Sequence, residues 1–261
     1  MPFLLLIQCV TAQAAEKPAV RLSPIYRIQT KAGQDQLVTQ LPAGSVSATQ
    51  QPAFFAVCVN QWPAGLVPLF VLEKDDRIEL RRRPPRGQEN FTEPLFFAFP
   101  CEDEPIAAKI AGTWDCLAIR EDRSKAYVVW ELGVADEKIF GRFDQNTDYR
   151  FAFITGGSLR TNRFDLRVEY VKDGYLLTGK WRSNKLSGEW RREDSSERGT
   201  WQATRTSARL PSTTGLVALY EWRRAADGVC RYALQGKTID SAWNRSARPL
   251  CRVWRGPQSP K

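Results

Sequence analysis

Gly112-Thr113-Trp114 opens a stretch of this chain that ends at Gly199-Thr200-Trp201-Gln202-Ala203-Thr204-Arg205. Between these ends the pattern of glycine, any residue and tryptophan recurs at Gly179-Lys180-Trp181 and Gly188-Glu189-Trp190. Residues two apart share one face of a β-strand, so each glycine leaves room for a bulky indole on that face. The strands of a small closed barrel must bend, and this arrangement allows the bend.

The hairpins of this stretch follow from its alternation of apolar and polar residues. Leu166 and Val168 alternate with charged residues, Asp173-Gly174 is a strong two-residue turn signal, and Tyr175 begins the returning strand. Further short runs of the same kind give about eight strands in total. We therefore predict an all-β protein that contains an eight-stranded up-and-down barrel.

The two ends of the stretch resemble the lipocalin and avidin group of barrels, the calycins. The resemblance rests on a Gly-x-Trp motif in the first strand, here Gly112 to Trp114, and on an arginine at the end of the last strand, here Arg205. It implies that residues 107–207 form a calycin-like barrel. It also implies that Arg205 closes the barrel base by stacking on Trp114, an arrangement that suits a cation over an aromatic face.

An internal repeat flanks the barrel stretch. Three openings match one another, at Pro24-Ile25-Tyr26, Gly65 to Phe70 and Gly215 to Tyr220, and three closing segments match at 52–58, 94–101 and 248–254. The gap between the second and third copies exceeds the first gap by about the length of the barrel stretch. We therefore predict a discontinuous three-repeat β-domain, such as a β-trefoil, over residues 22–104 plus 211–257, with the barrel inserted in it.

The repeats also resemble a family of bacterial extracellular repeats of unknown function, whose units begin Pro-Leu-Tyr-Arg-Leu and contain a His-Phe-Tyr-Thr core. Pro24-Ile25-Tyr26-Arg27-Ile28 and Leu219-Tyr220-Glu221-Trp222 match the opening, and Leu37-Val38-Thr39 matches the core without its histidine. This chain has no histidine at all, so a function that depends on that residue is not expected here.

The N-terminus indicates export. Residues 1–14 combine a short apolar run with the small-x-small sequence Ala12-Gln13-Ala14, which is typical of a signal peptide. A secreted or periplasmic protein is expected, with no transmembrane segment, because no later stretch is long and apolar enough. Export permits disulfides, and the pairs Cys230 with Cys251 and Cys101 with Cys116 are the ones that sequence position suggests.

Composition excludes several kinds of chemistry. Without histidine there is no Ser-His-Asp or Cys-His catalysis and no histidine-containing metal site. Asp144 to Asp148 has the spacing of half a calcium loop, but Tyr149 replaces the glycine that such a loop requires. We predict no metal, no cofactor and no catalytic residues. The net charge of +9 favours acidic partners, although export and the lack of a nucleic-acid-binding module argue against nucleic acid.

Two groups of side chains are candidate binding residues. An apolar cavity at the open end of the barrel would be lined by Tyr127, Trp130, Tyr175, Trp181 and Trp190. The alternative is that the tryptophans simply fill the barrel. Anions would be bound by the densest positive run, Arg81, Arg82, Arg83 and Arg86, which is otherwise a solvated loop.

Three functions remain open from the sequence. The first is an exported, non-enzymatic binding protein that takes a small apolar or aromatic ligand in the barrel, or a glycan or surface on the repeats. The second is a structural or protein-interaction module with a solid barrel, such as a secreted inhibitor or the partner of an envelope protein. The third is an enzyme that uses carboxylates, which requires a cleft with two acids whose pKa values differ.

Overall fold

The computed structural model describes residues 20–29, 35–42, 51–74, 77–84, 93–145, 150–160, 162–169, 173–206 and 210–257. This part of the chain is almost entirely β-structure, with one short helix, α1 (Pro105–Ile110). Its strands, in chain order, are β1 (Leu22–Gln29), β2 (Asp35–Val38), β3 (Phe54–Val57), β4 (Val67–Lys74), β5 (Arg77–Arg81), β6 (Phe96–Ala98), β7 (Gly112–Arg120), β8 (Lys125–Ala135), β9 (Lys138–Gln145), β10 (Arg150–Arg160), β11 (Arg163–Glu169), β12 (Gly174–Arg182), β13 (Lys185–Arg192), β14 (Arg198–Arg205), β15 (Leu216–Arg224), β16 (Cys230–Leu234), β17 (Trp243–Arg245) and β18 (Cys251–Trp254). The strands form an eight-stranded antiparallel barrel and a second, curled sheet, which confirms the predicted all-β fold class.

The barrel is an up-and-down meander from β7 to β14. Each strand pairs with the next along the chain, and the last strand, β14, pairs with the first, β7, to close the barrel. In this seam Arg205 lies opposite Trp114 at one end and Gly199 lies opposite Arg120 at the other. The end with Arg205 is covered by α1 and is called the base below, and the opposite end is called the mouth.

Glycines in the barrel wall make room for tryptophans of other strands. Gly188 of β13 lies opposite Gly179 of β12 on one side and opposite Trp201 of β14 on the other. The three residues therefore form one row across three neighbouring strands. A Cβ atom on Gly179 would lie 2.5 Å from the Trp201 ring. Trp201, and not the Trp181 that follows Gly179 by two residues, therefore occupies the space that this glycine leaves.

The curled sheet repeats one local arrangement three times. β1, β4 and β15 each pair with the closing strand of their own repeat, which is β3, β6 and β18 respectively. Three equivalent backbone hydrogen bonds mark the repeat: Ala53 N–H donates to Ile25 O at 2.7 Å, Leu95 N–H to Leu69 O at 2.7 Å, and Leu250 N–H to Leu219 O at 2.8 Å. The matching sequence segments therefore have matching structure.

The three closing strands also contact one another in a ring. The register places Val57 opposite Phe97, Phe99 opposite Arg252, and Trp254 opposite Phe55. Each contact joins equivalent positions of successive repeats, so the sheet has an approximate three-fold arrangement. Gly65 and Gly215 precede two of the opening strands with φ values of +76° and +78°, a conformation that favours glycine.

The barrel and the sheet share a hydrophobic joint. Phe140 lies on the outer face of β9, and its ring is 6.0 Å from that of Trp62 and 6.2 Å from that of Phe70, both of which belong to the sheet side. The chain enters and leaves the barrel at one place, because Thr206 N–H donates to Thr113 O at 3.0 Å. β1–β6 precede the barrel in sequence and β15–β18 follow it.

No helix in the described part of the chain has the length and apolarity needed to cross a membrane. The segment 1–14, the expected signal peptide, lies outside the described residues.

Candidate functional site

An apolar pocket of about 90 Å³ lies at the mouth of the barrel. The inward-facing residues of β7 and β8 create this pocket. They are small near the mouth, whereas they are tryptophans deeper in the barrel. Ala118 and Ala126 lie opposite each other in register and leave the space that larger side chains would fill. The pocket walls are completed by Cys116, Val128, Val168, Leu177 and the rings described next.

Aromatic rings form most of the floor and one wall of this pocket. In the floor, Trp130 lies with its centroid 4.7 Å from that of Trp201 and 4.8 Å from that of Phe143. In the wall, Tyr175 and Trp190 lie with their centroids 5.9 Å apart. Three of the five predicted ligand-binding residues, namely Trp130, Tyr175 and Trp190, therefore line one pocket.

The other two predicted residues lie elsewhere. Tyr127 is 69% exposed on the outer face of the barrel, because it alternates with the inward-facing Ala126 and Val128. Trp181 lies near the base, where it stacks on Phe164 at a centroid distance of 6.4 Å. The strand phase that excludes Tyr127 is present in the sequence, since residues three apart, such as Tyr127 and Trp130, cannot share a strand face.

The pocket has few polar groups. Arg120 lies at its rim and pairs with Glu197 at 2.8 Å. Burial raises the pKa of the Cys116 thiol far above its ordinary value, so this thiol is neutral. Burial, together with the nearby Asp173 carboxylate, also raises the pKa of the Tyr175 hydroxyl. Around neutral pH the interior of the pocket therefore offers ring faces and aliphatic groups without a charge.

The base of the barrel holds the pair that the calycin resemblance points to. The Arg205 guanidinium lies 4.6 Å from the centroid of the Trp114 ring and donates to Ala108 O of α1 at 3.2 Å. The Trp114 indole donates to Ile110 O at 2.8 Å. Burial lowers the pKa of Arg205 to about 10, and its Nε and Nη2 atoms are buried without a hydrogen-bond acceptor among the described residues. These contacts hold α1 against the base of the barrel.

The predicted arginine run borders a second, larger hollow. Arg81, Arg82 and Arg83 line a cleft of about 890 Å³ between the β4–β5 hairpin and the barrel, whereas Arg86 lies outside the described residues. Arg81 forms an ion pair with Glu79. Arg82 pairs with Glu104 at 2.6 Å and donates to Val134 O of the barrel at 3.1 Å. The run is therefore partly used to join the sheet to the barrel.

The cleft also contains residues that the sequence did not indicate. Asp136 comes from the turn between β8 and β9, Lys138 is the first residue of β9, and Arg248 and Leu250 come from the segment before β18. No local pattern links them to the arginine run, because the docking of the sheet on the barrel brings them together.

Both disulfides proposed from the sequence are wrong for this structure, in which all five cysteines of the described residues are free thiols. Cys230 lies on β16 and Cys251 on β18, and these strands flank β15 on opposite sides. The residues of β15 that lie opposite the two cysteines are four positions apart. Strands are ~4.8 Å apart and residues advance ~3.3 Å, so the two Cα atoms exceed the ~7 Å limit for a bridge. Cys101 borders the cleft, whereas Cys116 lies in the barrel pocket.

The described residues contain no cluster of three or more His, Cys, Asp or Glu side chains that would suit a metal ion. Most of the calcium-like segment, residues 146–149, lies outside the described residues.

Comparison of this chain with protein-family models, with curated proteins and with solved structures finds no match. The two hollows, the barrel pocket and the cleft, are therefore the features that bear on its function.

Proposed function

We propose that this chain is an exported, non-enzymatic binding protein that holds one small apolar or aromatic group of its ligand in the pocket at the barrel mouth. The observation that carries the proposal is the convergence of Trp130, Tyr175 and Trp190 on a single pocket. Aromatic walls with few polar groups favour the burial of an uncharged ring or alkyl group. The export signal of residues 1–14 supports a site of action outside the cytoplasm.

The size of the pocket limits the ligand. Its volume of about 90 Å³ is smaller than the ~150 Å³ of an apolar cavity that accommodates benzene. A bulky ligand therefore inserts only a terminal group and leaves the rest of its body at the rim. There Arg120, which is paired with Glu197, lines the pocket. We expect the affinity to depend on the shape of the inserted group more than on charge.

The proposal is tested by calorimetric titration with small cyclic compounds, namely the single-ring phenol, toluene and cyclohexanol and the two-ring indole. Binding to the unchanged protein is expected, together with its loss in Ala126→Leu, which places three more carbon atoms in the pocket. The matched control is Tyr127→Leu, the same new residue at the next position, which faces outward and should bind normally. Equal binding to both variants would contradict the proposed site.

The small volume also favours the alternative, a structural or protein-interaction module with a solid barrel. In that case no compound binds, and Ala126→Leu raises the unfolding midpoint because it fills a void that serves no purpose. The same two variants therefore separate the two functions. A void that is kept for a ligand lowers the stability of a binding protein, so a gain in stability that costs no binding favours the solid barrel.

A further inference from the structure

The cleft between the sheet and the barrel combines a few exposed apolar groups with a larger set of charged side chains. Its volume of about 890 Å³ falls within the ~300–1,000 Å³ that ligand sites typically have, and it lies at the junction of two substructures, where such sites are common. Both substructures contribute apolar side chains to it. Leu80, Ile139, Phe140 and Ile154 are buried behind its surface, whereas Leu72 and Leu250 are half-buried and expose apolar surface to the cleft.

Most of the charges in this cleft are already paired. Glu104 pairs with Arg82, Glu221 with Arg223 and Arg81 with Glu79. Arg248 and Asp103 form a longer, solvent-exposed pair at 3.8 Å. These groups neutralise one another and add little to the net charge that a ligand encounters.

Three charged residues of the cleft have no such partner among the described residues. Arg83, which follows β5, and Lys138, which begins β9, are the cations, and Asp136 is the single acid. The two cations approach the cleft from its two sides, one from the sheet and one from the barrel. The lining therefore carries one uncompensated positive charge beside an apolar surface.

We infer that this cleft binds an amphiphilic monoanion, a carboxylate with an aliphatic body, whose head group lies between Arg83 and Lys138. Guanidinium and ammonium groups are the usual partners of carboxylates, and the surplus of one positive charge matches one negative charge. The aliphatic body lies against the half-buried side chains of Leu72 and Leu250. This site is separate from the barrel pocket and does not depend on the function proposed for that pocket.

The test is calorimetric titration of the whole protein with decanoate, 1-decanol and decyl phosphate at concentrations below those that form micelles. Decanoate is expected to bind at least ~tenfold more tightly than 1-decanol, since the alcohol lacks the charge. Its affinity should fall as salt is added. Decyl phosphate binding more tightly than decanoate would overturn the inferred match to a single charge.

Variants locate the binding site. Arg83→Gln and Lys138→Gln are each expected to weaken decanoate binding ~tenfold, and neither residue supports the fold through an ion pair in the described part of the chain. Lys125→Gln is the matched control, an exposed lysine at the start of β8 near the barrel mouth, and should bind decanoate normally. Decanoate binding that survives both cleft substitutions, or that is lost in Ala126→Leu, would overturn the inference.

Discussion

Single residues at the barrel base show how a half-buried cation is accommodated. Arg205 gains the face of Trp114 and one carbonyl, but two of its nitrogen atoms are buried without an acceptor among the described residues. Most of its stabilising effect should therefore come from packing over the ring and less from hydrogen bonds. The desolvation that lowers its pKa to about 10 opposes part of the gain.

Replacement of Arg205 should separate the contribution of packing to stability from the contribution of charge. We expect Arg205→Ala to lower the free energy of unfolding by about 2–4 kcal/mol, because it opens a cavity over Trp114. Arg205→Met should cost less, since it keeps most of the volume and removes the buried charge. Urea denaturation measures both values. Arg198→Ala, at the exposed end of the same strand, serves as the control and should leave the urea midpoint unchanged. A larger loss of unfolding free energy in Arg205→Met than in Arg205→Ala would contradict the role of packing.

The same reasoning applies to Gly179. A Cβ atom there would lie 2.5 Å from the Trp201 ring and 2.7 Å from the Phe164 ring, so Gly179→Ala forces two buried rings to move. Overpacking of this kind typically costs about 1–3 kcal/mol. Gly256→Ala is the control, because no atom lies within 4 Å of the added carbon there. Thermal unfolding compares the two variants, and equal midpoints would show that the rings are not packed as described.

The cysteines provide a third residue-scale prediction. Burial raises the pKa of Cys101 and Cys230 to about 11, so their thiolate fraction at pH 8 falls by about two orders of magnitude relative to a free cysteine. Both thiols should react slowly with iodoacetamide in the folded protein and quickly after unfolding. Their rate should rise about tenfold for each pH unit up to pH 11. Peptide mass spectrometry measures labelling at each site, and rapid labelling of both thiols at pH 8 would contradict their burial.

At the scale of elements, the seam between β7 and β14 decides whether the barrel closes. Cys116 and Ala203 lie directly opposite each other there, and both are buried. Directly opposite residues on antiparallel strands have Cα atoms ~4.5–5.5 Å apart, within the range of a disulfide.

A cross-link tests this seam. Ala203→Cys should form a bond with Cys116 when the protein is refolded under oxidising conditions, in which the thiols are accessible, and the linked protein should unfold at higher denaturant concentration because a long loop is closed. Thr204→Cys is the matched control, since the next residue along the strand lies opposite Asp115 and should not link to Cys116. Non-reducing peptide mapping identifies the bond. Linkage of the control to Cys116, or none in Ala203→Cys, would contradict the register.

The elements differ in how far the sequence could predict them. Alternation and turn residues sufficed for the barrel strands, because a β-hairpin is a local structure and Asp173-Gly174 marks its turn. The structure separates Tyr127 from Trp130, which are predicted from the sequence to line one pocket, and strand phase alone accounts for the separation. The pairing of Cys230 with Cys251 failed for a different reason, since nearness within one repeat does not show that β15 lies between their strands.

At the scale of the whole molecule, what the sequence could not show is how the barrel packs on the sheet. A period of two distinguishes the inner face of the barrel from the outer face, but it does not show that another sheet covers the outer face at Phe140. The cleft has the same origin, because Arg83 and Lys138 line one cleft only when the β4–β5 hairpin docks on the barrel. Long-range contacts of this kind leave no periodic signal in the chain.

The joint should also determine how the molecule unfolds. Since Phe140 packs against both Trp62 and Phe70, the barrel and the sheet share buried surface, and the unchanged protein should unfold in a single calorimetric transition. Phe140→Ala removes the ring that joins them, at a cost of about 3–5 kcal/mol, and should split the transition in two. Phe54→Ala is the control, because it removes a ring of similar burial inside the sheet, where it contacts Phe96. That control should lower the transition without splitting it. A single transition in Phe140→Ala would mean that the two structures are coupled by contacts other than this joint, such as the bond from Arg82 to Val134 O.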